Sequence, residues 1–252
     1  MYHTTGFSKD EIAELCTLVQ VAGVSSGGDD GYPPVLGLFK SVAVALTYLR
    51  RNHVQQELAE YYEVSQSTIS WAITAITPEL ARVTRPFIPT AEELPSDEQV
   101  IVDGTLVSYW SWDDHPELYS GKHHTTGLNI QVVCDLAGGL RWISDPVDGC
   151  HHDSAALRLS GVLDEVETQN WIGDKGYIGL NMITLIRKPP HRELLDWEKE
   201  FNTVINKIRW RIEQTIANLK TWRILHTDCR RPLATFADTI SAVIGLQFYR
   251  TA

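Results

Sequence analysis

The sequence contains no long apolar run, so we expect no helix of the roughly 20 apolar residues that a membrane span requires. The amino-terminal stretch MYHTTGFSKDEIAEL lacks a basic flank followed by an apolar core, which argues against a signal peptide. Cysteine is also scarce, and Cys16, Cys134, Cys150 and Cys229 form no CxxC pair. This pattern excludes a disulfide framework and favours reduced thiols, as in a cytoplasmic protein.

Basic residues are outnumbered: the chain has 22 Lys and Arg against 32 Asp and Glu, a formal net charge of −10. At first sight this balance argues against a protein that binds nucleic acid. Between residues 201 and 231 the balance is reversed, because only Glu213 and Asp228 are acidic there. The basic residues of this segment are Lys207, Arg209, Arg211, Lys220, Arg223, Arg230 and Arg231. Such a strip can contact phosphate, although an ordinary solvated helix face has the same composition.

The 252 residues, of which 43% are hydrophobic, suffice for one substantial core and a small accessory domain. Residues 1 to about 90 have helical patterns. Apolar spacing predicts a helix over Leu36 to Arg50, then two short helices over Val54 to Tyr61 and Gln66 to Ile76. The break between the short helices at residues 63–65 predicts a helix-turn-helix unit.

The second short helix begins after Ser65, which we expect to be its N-cap. Apolar side chains would fill the angle between the two helices: Leu58, Ala59, Val64 and Ile69. Short polar side chains would project from the second helix: Gln66, Ser67, Thr68, Ser70 and Thr74. In a major groove such side chains can reach base edges and phosphates, which predicts DNA contact. The alternative is a helical hairpin that serves packing alone.

From Val100 onward the pattern changes to strands that alternate with helices, which predicts an α/β fold. The predicted strands are Val100 to Val102, Gly127 to Cys134, Leu140 to Ser144 after a hairpin turn, Trp171 to Gly173, and Met182 to Ile186. Helices are predicted from near Ser154 and, as one or two segments, from Glu193 to about Trp222.

Two of the predicted strands end at a carboxylate, one at Asp103 and the other at Asp174. A charge directly after a buried strand lies at a sheet edge, where α/β sheets bind ligands. Either residue alone would be explained as a turn or cap residue, but the pair is more informative. A third carboxylate, Glu213, borders the apolar stripe of the last predicted helix. Its alternative role is a surface pair with Arg209, four residues earlier.

Three carboxylates without a matching Cys or His pattern favour Mg²⁺ or Mn²⁺ over zinc. Two such ions can activate a water or a 3′-hydroxyl and stabilise the leaving oxygen of a phosphodiester. A zinc site at the histidines is less favoured, because neither a thiolate nor a spaced His pair supports it. The histidines concerned are His123, His124, His151 and His152.

Four strings, YSGKHHTTGLNIQVVCD, DGCHHDSAAL, GDKGYIG and RIEQTIANLKTWRIL, resemble the DDE-superfamily endonucleases. The similarity is to bacterial transposases of the insertion-sequence-five type, related to the Harbinger group, and it runs from about Leu36 to Phe248. It implies a helix-turn-helix domain over residues 1–90 and a ribonuclease-H-like catalytic domain over residues 91–252. It also implies metal-dependent cleavage and strand transfer of DNA, by a homodimer or higher multimer that binds transposon ends and target in the cytoplasm, at the nucleoid.

By the family's motifs, Asp103, Asp174 and Glu213 are the catalytic residues and hold two metal ions. The family's HDS motif falls on residues 152–154, so His152 and Asp153 are additional candidates, and Asp153 competes with Asp174. We favour Asp174 because it ends a strand, whereas Asp153 precedes a helix that it could cap. DNA contacts are expected from Lys122, His124, Arg209 and Lys220. Two alternatives stay open: a non-catalytic DNA-binding remnant or regulator, and a nuclease without joining activity.

Overall fold

The computed structural model describes residues 2–27, 31–95, 97–110 and 115–250. Two compact units make up the chain: residues 1–88 together with 220–252, and residues 89–219. The sequence predicts a boundary near residue 90 and keeps residues 220–252 with the second domain, whereas the structure groups them with the amino-terminal helices. None of the described helices is long and apolar enough to cross a membrane. All four cysteines are free.

The first unit is helical. Its helices are α1 (Tyr2–Thr5), α2 (Lys9–Val21), α3 (Gly37–Arg51), α4 (Gln55–Tyr62) and α5 (Gln66–Thr84), with α9 (Phe236–Tyr249) near the end of the chain. Helix α3 is buried on all sides from Ser41 to Leu49, as expected for a helix at the centre of a bundle. Helix α9 packs along α5, and Gly245 provides the close approach, because a Cβ there would overlap Thr84. This packing explains why the carboxy-terminal segment belongs to the first unit.

Helices α4 and α5 are joined by a short turn, as the sequence predicts. Glu63 adopts a left-handed conformation with φ of 55°, which ends α4. Ser65 is the N-cap of α5, and its side chain accepts a hydrogen bond from the Thr68 backbone N–H. Leu58 and Ile69 are buried between the helices. Helix α5 runs on to Thr84, beyond the predicted end at Ile76, because its apolar spacing continues through Leu80.

The second unit is built on a mixed sheet. In chain order the strands are β1 (Val100–Ser108), β2 (Tyr119–Ser120), β3 (Thr125–Asp135), β4 (Leu140–Ile143), β5 (Val147–Asp148), β6 (Trp171–Gly173) and β7 (Ile183–Thr184). The strand order is β2-β3-β1-β6-β7, and β4 and β5 also pair with β3. Strands β1 and β3 are antiparallel, whereas β1, β6 and β7 are parallel. The predicted α/β class with a mixed sheet is therefore confirmed for this unit.

Helices cover the sheet. They are α6 (Asp153–Leu159), α7 (Val162–Glu165) and α8 (Asp196–Leu219). Helix α8 packs across β1, β3 and β6 and buries Ile205, Ile212 and Leu219. A second apolar cluster forms around Val102, Trp142, Leu157, Trp171 and Tyr177.

The observed strands differ from the predicted ones. Strand β7 spans only Ile183–Thr184 of the predicted Met182 to Ile186, and two larger differences concern β1 and the short strands. Strand β1 does not end at Asp103 but continues to Ser108, because β3 supplies a pairing partner for every residue as far as Gly127. Asp103 therefore lies inside a strand. Strands β2 and β5 escape sequence analysis because each has only two residues, too few to show an alternating pattern. Helix α8 is one continuous helix that ends at Leu219.

Candidate active site

Asp103 and Asp174 lie at the same level of two adjacent strands. Strands β1 and β6 pair in parallel, with Val100 opposite Trp171 and Ile101 opposite Ile172. Asp103 and Asp174 each come two residues after the second of these pairs. The structure thus brings the two carboxylates predicted from the sequence to the same level of the sheet, Asp103 within β1 and Asp174 directly after the end of β6.

The Asp103 carboxylate is largely buried, with its side chain 16% exposed, and it is paired with Arg209 of α8. Arg209 Nη2 lies 3.1 Å from Asp103 Oδ2, and the Gly104 backbone N–H donates to Asp103 Oδ1 at 2.9 Å. The pKa of Asp103 is raised to about 6, first by burial and then by the charges of Asp174 and Asp153, against the opposing effect of Arg209. Asp103 is therefore one of three neighbouring carboxylates whose like charges repel one another.

Asp153 is the third member of this acidic group, and it does not cap α6. It is the first residue of the helix, and the N-cap position belongs to His152, which makes no side-chain capping bond. The buried carboxylate instead accepts hydrogen bonds from Lys122 Nζ at 2.7 Å and from Asn129 Nδ2 at 3.2 Å. The sequence expectation that Asp153 could simply cap a helix is therefore wrong.

A chain of buried hydrogen bonds leads from Asp153 to the segment after Asp174. Asn129 Oδ1 accepts from Gln131 Nε2 at 2.9 Å, and Gln131 Oε1 accepts from the Tyr177 hydroxyl at 2.6 Å. Burial, followed by the charges of Asp153, Asp103 and Asp174, raises the pKa of Tyr177 well above its ordinary value, so the phenol remains a donor. Asn129 and Gln131 lie two residues apart on β3 and therefore face the same side of the sheet.

Asp174 is the N-cap of the short 3₁₀ turn Lys175–Tyr177, and its side chain accepts a hydrogen bond from the Gly176 backbone N–H. A Cβ at Gly176 would lie 2.7 Å from Asp174 Oδ1, so glycine leaves room for the carboxylate. Tyr177, at the end of the same turn, is fully buried. The turn and the buried phenol together fix the position of Asp174.

Lys122 supplies a positive charge at the opposite end of the network. Burial by itself lowers the pKa of Lys122, but the hydrogen bond from its ammonium to Asp153 and the charges of all three aspartates outweigh this effect and raise it. Half of the Lys122 side chain stays exposed to solvent. His124 and His152 are exposed as well, and His124 adopts a positive φ of 53°.

Glu213 is not brought into the acidic group. It lies exposed on α8, one turn after Arg209, and among the described residues the like charges that act on Asp103 are those of Asp174 and Asp153, not that of Glu213. Within the described residues, no group of three His, Cys, Asp or Glu side chains is arranged to hold a metal ion. His123, His124, His151 and His152 therefore form no such group either. The residue of α8 that meets Asp103 is Arg209, whose charge offsets that of the buried carboxylate.

Of the residues predicted to contact DNA, Gln66 and Ser67 are exposed at the start of α5, and Thr68 and Ser70 are half-buried. Gln66 Nε2 donates to Gln55 Oε1 at 2.7 Å, which ties α5 to α4. Lys220 is half-buried, and burial lowers its pKa.

Sequence reasoning missed Asn129, Gln131 and Tyr177 as parts of the site. A signal was present in the string GLNIQVV, where two amides alternate with apolar residues in a buried strand. Buried polar side chains require hydrogen-bond partners. Asn129 and Gln131 find theirs in Asp153 and Tyr177 of the candidate site.

Asp103 and Asp174 lie together where β6 ends beside β1, and α/β sheets bind ligands where their parallel strands end. Residues 102–247 match the family model described as "DDE superfamily endonuclease". The chain is 30% identical over 233 residues to a protein of Streptomyces albus G described as "Putative transposase for insertion sequence element IS112", covering 90% of this chain and 85% of that protein. It is 25% identical over 232 residues to the "Probable transposase for insertion sequence element IS702" of Microchaete diplosiphon, covering 88% and 84% of the two chains.

No solved structure is significantly similar to the chain. The family match covers more than half of the sequence, and both relatives align over most of their length. The protein therefore belongs to the DDE superfamily of endonucleases, and to the transposases within it.

Proposed function

We propose that this protein binds the ends of its own insertion sequence and catalyses metal-dependent cleavage and strand transfer of DNA. The observation that carries the proposal is the pair Asp103 and Asp174, at the same level of adjacent parallel strands in a DDE-superfamily chain. The relatives named as transposases of insertion sequences support the same reaction.

Mg²⁺ or Mn²⁺ fits the chemistry of these donors, because carboxylate oxygens are the ligands that hard cations prefer. The raised pKa of Asp103 reflects burial among like charges, and a cation relieves both effects. We assign Asp103 and Asp174 to the metal and Asp153 to a supporting position beside them; Glu213 stays a proposed donor from the family's motif, although it lies outside this acidic group. Bound there, the metal would supply Lewis-acid stabilisation to the attacking and leaving oxygens of a phosphodiester.

The basic residues of the site suit contact with the DNA phosphate. Arg209 is mostly buried and paired with Asp103, so its charge reaches a phosphate at the site through the field around that carboxylate. Lys122 is half exposed beside Asp153 and can turn toward solvent. Asn129 donates directly to the Asp153 carboxylate, and the bond from the Tyr177 hydroxyl to Gln131 anchors the turn that follows Asp174.

Recognition of the element's ends is assigned to the exposed start of α5. Gln66 and Ser67 offer side-chain donors and acceptors to base edges, and Thr68 follows them on the same turn. The N-terminal end of a helix also favours a phosphate through its free backbone N–H groups.

A second candidate is a non-catalytic DNA-binding remnant, and the exposed position of Glu213 favours it. One experiment separates the two functions and also tests for joining. The purified full chain is incubated with Mg²⁺ and a labelled duplex that carries the inverted repeats flanking the gene, in the presence of a target plasmid. Nicked repeat ends and joined products are expected, and both should disappear in EDTA and in Asp103→Asn. Nicking without joined product indicates a nuclease alone, and binding without nicking indicates the remnant.

A further inference from the structure

Helix α8 exposes an apolar face that its own unit does not cover. Trp197 is 60% exposed and Val204 is 49% exposed, and Phe201 and Ile208 are half-buried between and beyond them. These four residues are spaced by four, three and four positions, so they line one side of the helix. We call them the α8 face.

The same side of the helix is covered further along the chain. Thr215, seven residues after Ile208, is buried, and its hydroxyl donates to the Gly138 carbonyl at 2.9 Å in the β3–β4 turn. The turn therefore covers one half of the helix side and leaves the α8 face open. Contiguous exposed apolar surface of this kind marks an interaction site.

Charged residues beside the α8 face are arranged so that they can pair with the same residues of a second copy. Glu200 and Lys207 lie seven residues apart on the same flank, and both are exposed. Neither forms an ion pair within the described residues, whereas Asp196 is paired with Lys199 at 2.9 Å. When two copies of such a helix pack antiparallel, the glutamate of each copy lies opposite the lysine of the other.

We propose that the α8 face is a self-association surface on which α8 of a second copy packs antiparallel. The two-fold axis passes near Val204, between Glu200 and Lys207. Each contact occurs twice in this isologous arrangement, so two Glu200–Lys207 pairs flank one apolar seam. The inference does not depend on the proposed DNA chemistry, since it rests on exposed residues remote in sequence from both aspartates.

The charges argue against two other occupants. If the two helices packed in parallel, no opposite charge on the second helix would lie level with Glu200. DNA is disfavoured because Glu200, which forms no ion pair within the described residues, would repel phosphate beside the face.

The test exchanges charges in the full-length protein. Glu200→Lys and Lys207→Glu are made singly and together, and the dimer dissociation constant is measured by sedimentation equilibrium at about 50 mM salt, where screening is weak. Each single variant should dissociate about tenfold more readily, because both symmetry-related pairs become repulsive. The double variant should regain wild-type association. A mixture of the two single variants should also associate, because their charges are opposite across a mixed pair.

Both positions are exposed, so each charge variant should keep its fold, and its thermal unfolding should match that of the wild type at protein concentrations below the dimer dissociation constant. A second variant, Val204→Asp, tests the apolar seam and should leave the protein monomeric even in high salt. The proposal is overturned if the wild-type protein is monomeric throughout, or if the single variants associate as the wild type does. It is also overturned if the double variant and the mixture fail to recover, or if Lys207→Glu weakens only DNA binding.

Discussion

Gly104 lies directly against the carboxylate of Asp153, because a Cβ at residue 104 would overlap Asp153 Oδ1. Gly104 thus has no side chain at the point where Asp153, the first residue of α6, places its carboxylate. The contact places Asp153 beside the residue that follows Asp103, an aspartate 50 positions earlier in the sequence. Glycine at this position is a requirement of the site and not of the strand, since glycine weakens a strand interior.

The first prediction concerns this contact. Gly104→Ala should displace Asp153 and also press on Gln131, whose Nε2 would lie 2.7 Å from the new Cβ. We expect unfolding free energy to fall by roughly 1–3 kcal/mol, the usual cost of overpacking, and DNA cleavage to fall with it. Gly121→Ala is the matched control, because a Cβ there has no neighbour within 4 Å. Urea unfolding of both variants measures the difference, and equal stability would refute the close contact.

The second prediction concerns the carboxylates. Asp103→Asn, Asp174→Asn and Glu213→Gln should each abolish cleavage of the labelled repeat duplex, because the amide lacks the charge that holds a cation. DNA binding should persist or tighten, since one negative charge fewer faces the phosphates. Asp153→Asn is the comparison that matters most. Partial activity in this variant fits a supporting role, whereas complete loss with full activity in Asp174→Asn would make Asp153 the second catalytic carboxylate.

The third prediction concerns pH in the absence of metal. The pKa of Asp103 is about 6 in the folded protein against an ordinary value of 3.8. The folded state therefore binds the proton of the Asp103 carboxyl more tightly than the unfolded state does. As a result, the free energy of unfolding falls as pH rises from about 4 to about 6. Relative to Asp103→Asn, the wild type should lose on the order of 2–3 kcal/mol over this range.

Thermal or urea unfolding in EDTA at intervals between pH 4 and pH 7 measures this loss. The comparison with Asp103→Asn cancels the other titrating groups, since the two proteins differ only at this carboxyl. Parallel pH profiles for the two proteins would show that Asp103 has an ordinary pKa.

The fourth prediction concerns the buried hydrogen-bond chain. Tyr177→Phe removes the donor to Gln131 Oε1 and leaves that carbonyl unsatisfied in a buried site. The cost should be roughly 1–3 kcal/mol of unfolding free energy. The loop with Asp174 loses its anchor, so kcat should fall while DNA affinity is retained.

Gln131→Met tests the same bond from the other side. In a double-mutant cycle the two substitutions should cost less together than the sum of the singles, because both remove one interaction. Additive costs would mean that Tyr177 and Gln131 act independently.

The parts of the protein that sequence analysis predicted best are those determined by local patterns. The N-cap at Ser65 and the turn at residues 63–65 follow from neighbouring residues, and the strand that precedes Asp174 follows from a short apolar run bounded by polar residues. The length of β1 did not follow, because its extension past Asp103 depends on pairing with β3. The place of residues 220–252 depends likewise on packing between α5 and α9, which lie far apart in the sequence.

The candidate site shows the same division. Asp103 and Asp174 could be predicted because each follows a recognisable strand pattern. The position of Asp153 could not, since a carboxylate at a helix start is usually a cap, and only the fold brings Lys122 and Asn129 to it. Arg209 and Glu213 lie one turn apart on α8, and the sequence does not determine which of them meets Asp103.

The last prediction concerns recognition by α5. Replacing Gln66, Ser67 and Thr68 together with Ala should weaken binding to the element's ends, because base-edge contacts are worth roughly 1–3 kcal/mol each. The fold should survive, since the N-cap bond of α5 runs from the Thr68 backbone N–H to Ser65, and neither group is altered. Thr17→Ala on α2 is the control, an exposed threonine whose hydroxyl bonds only the Ala13 carbonyl of its own helix.

Gel shifts with the repeat duplex and with a scrambled duplex separate specific from non-specific affinity. We expect the triple variant to bind both duplexes equally and the control to retain its preference. A triple variant that still prefers the repeat would show that α5 does not recognise the sequence, and equal losses on both duplexes would reduce its role to phosphate contact.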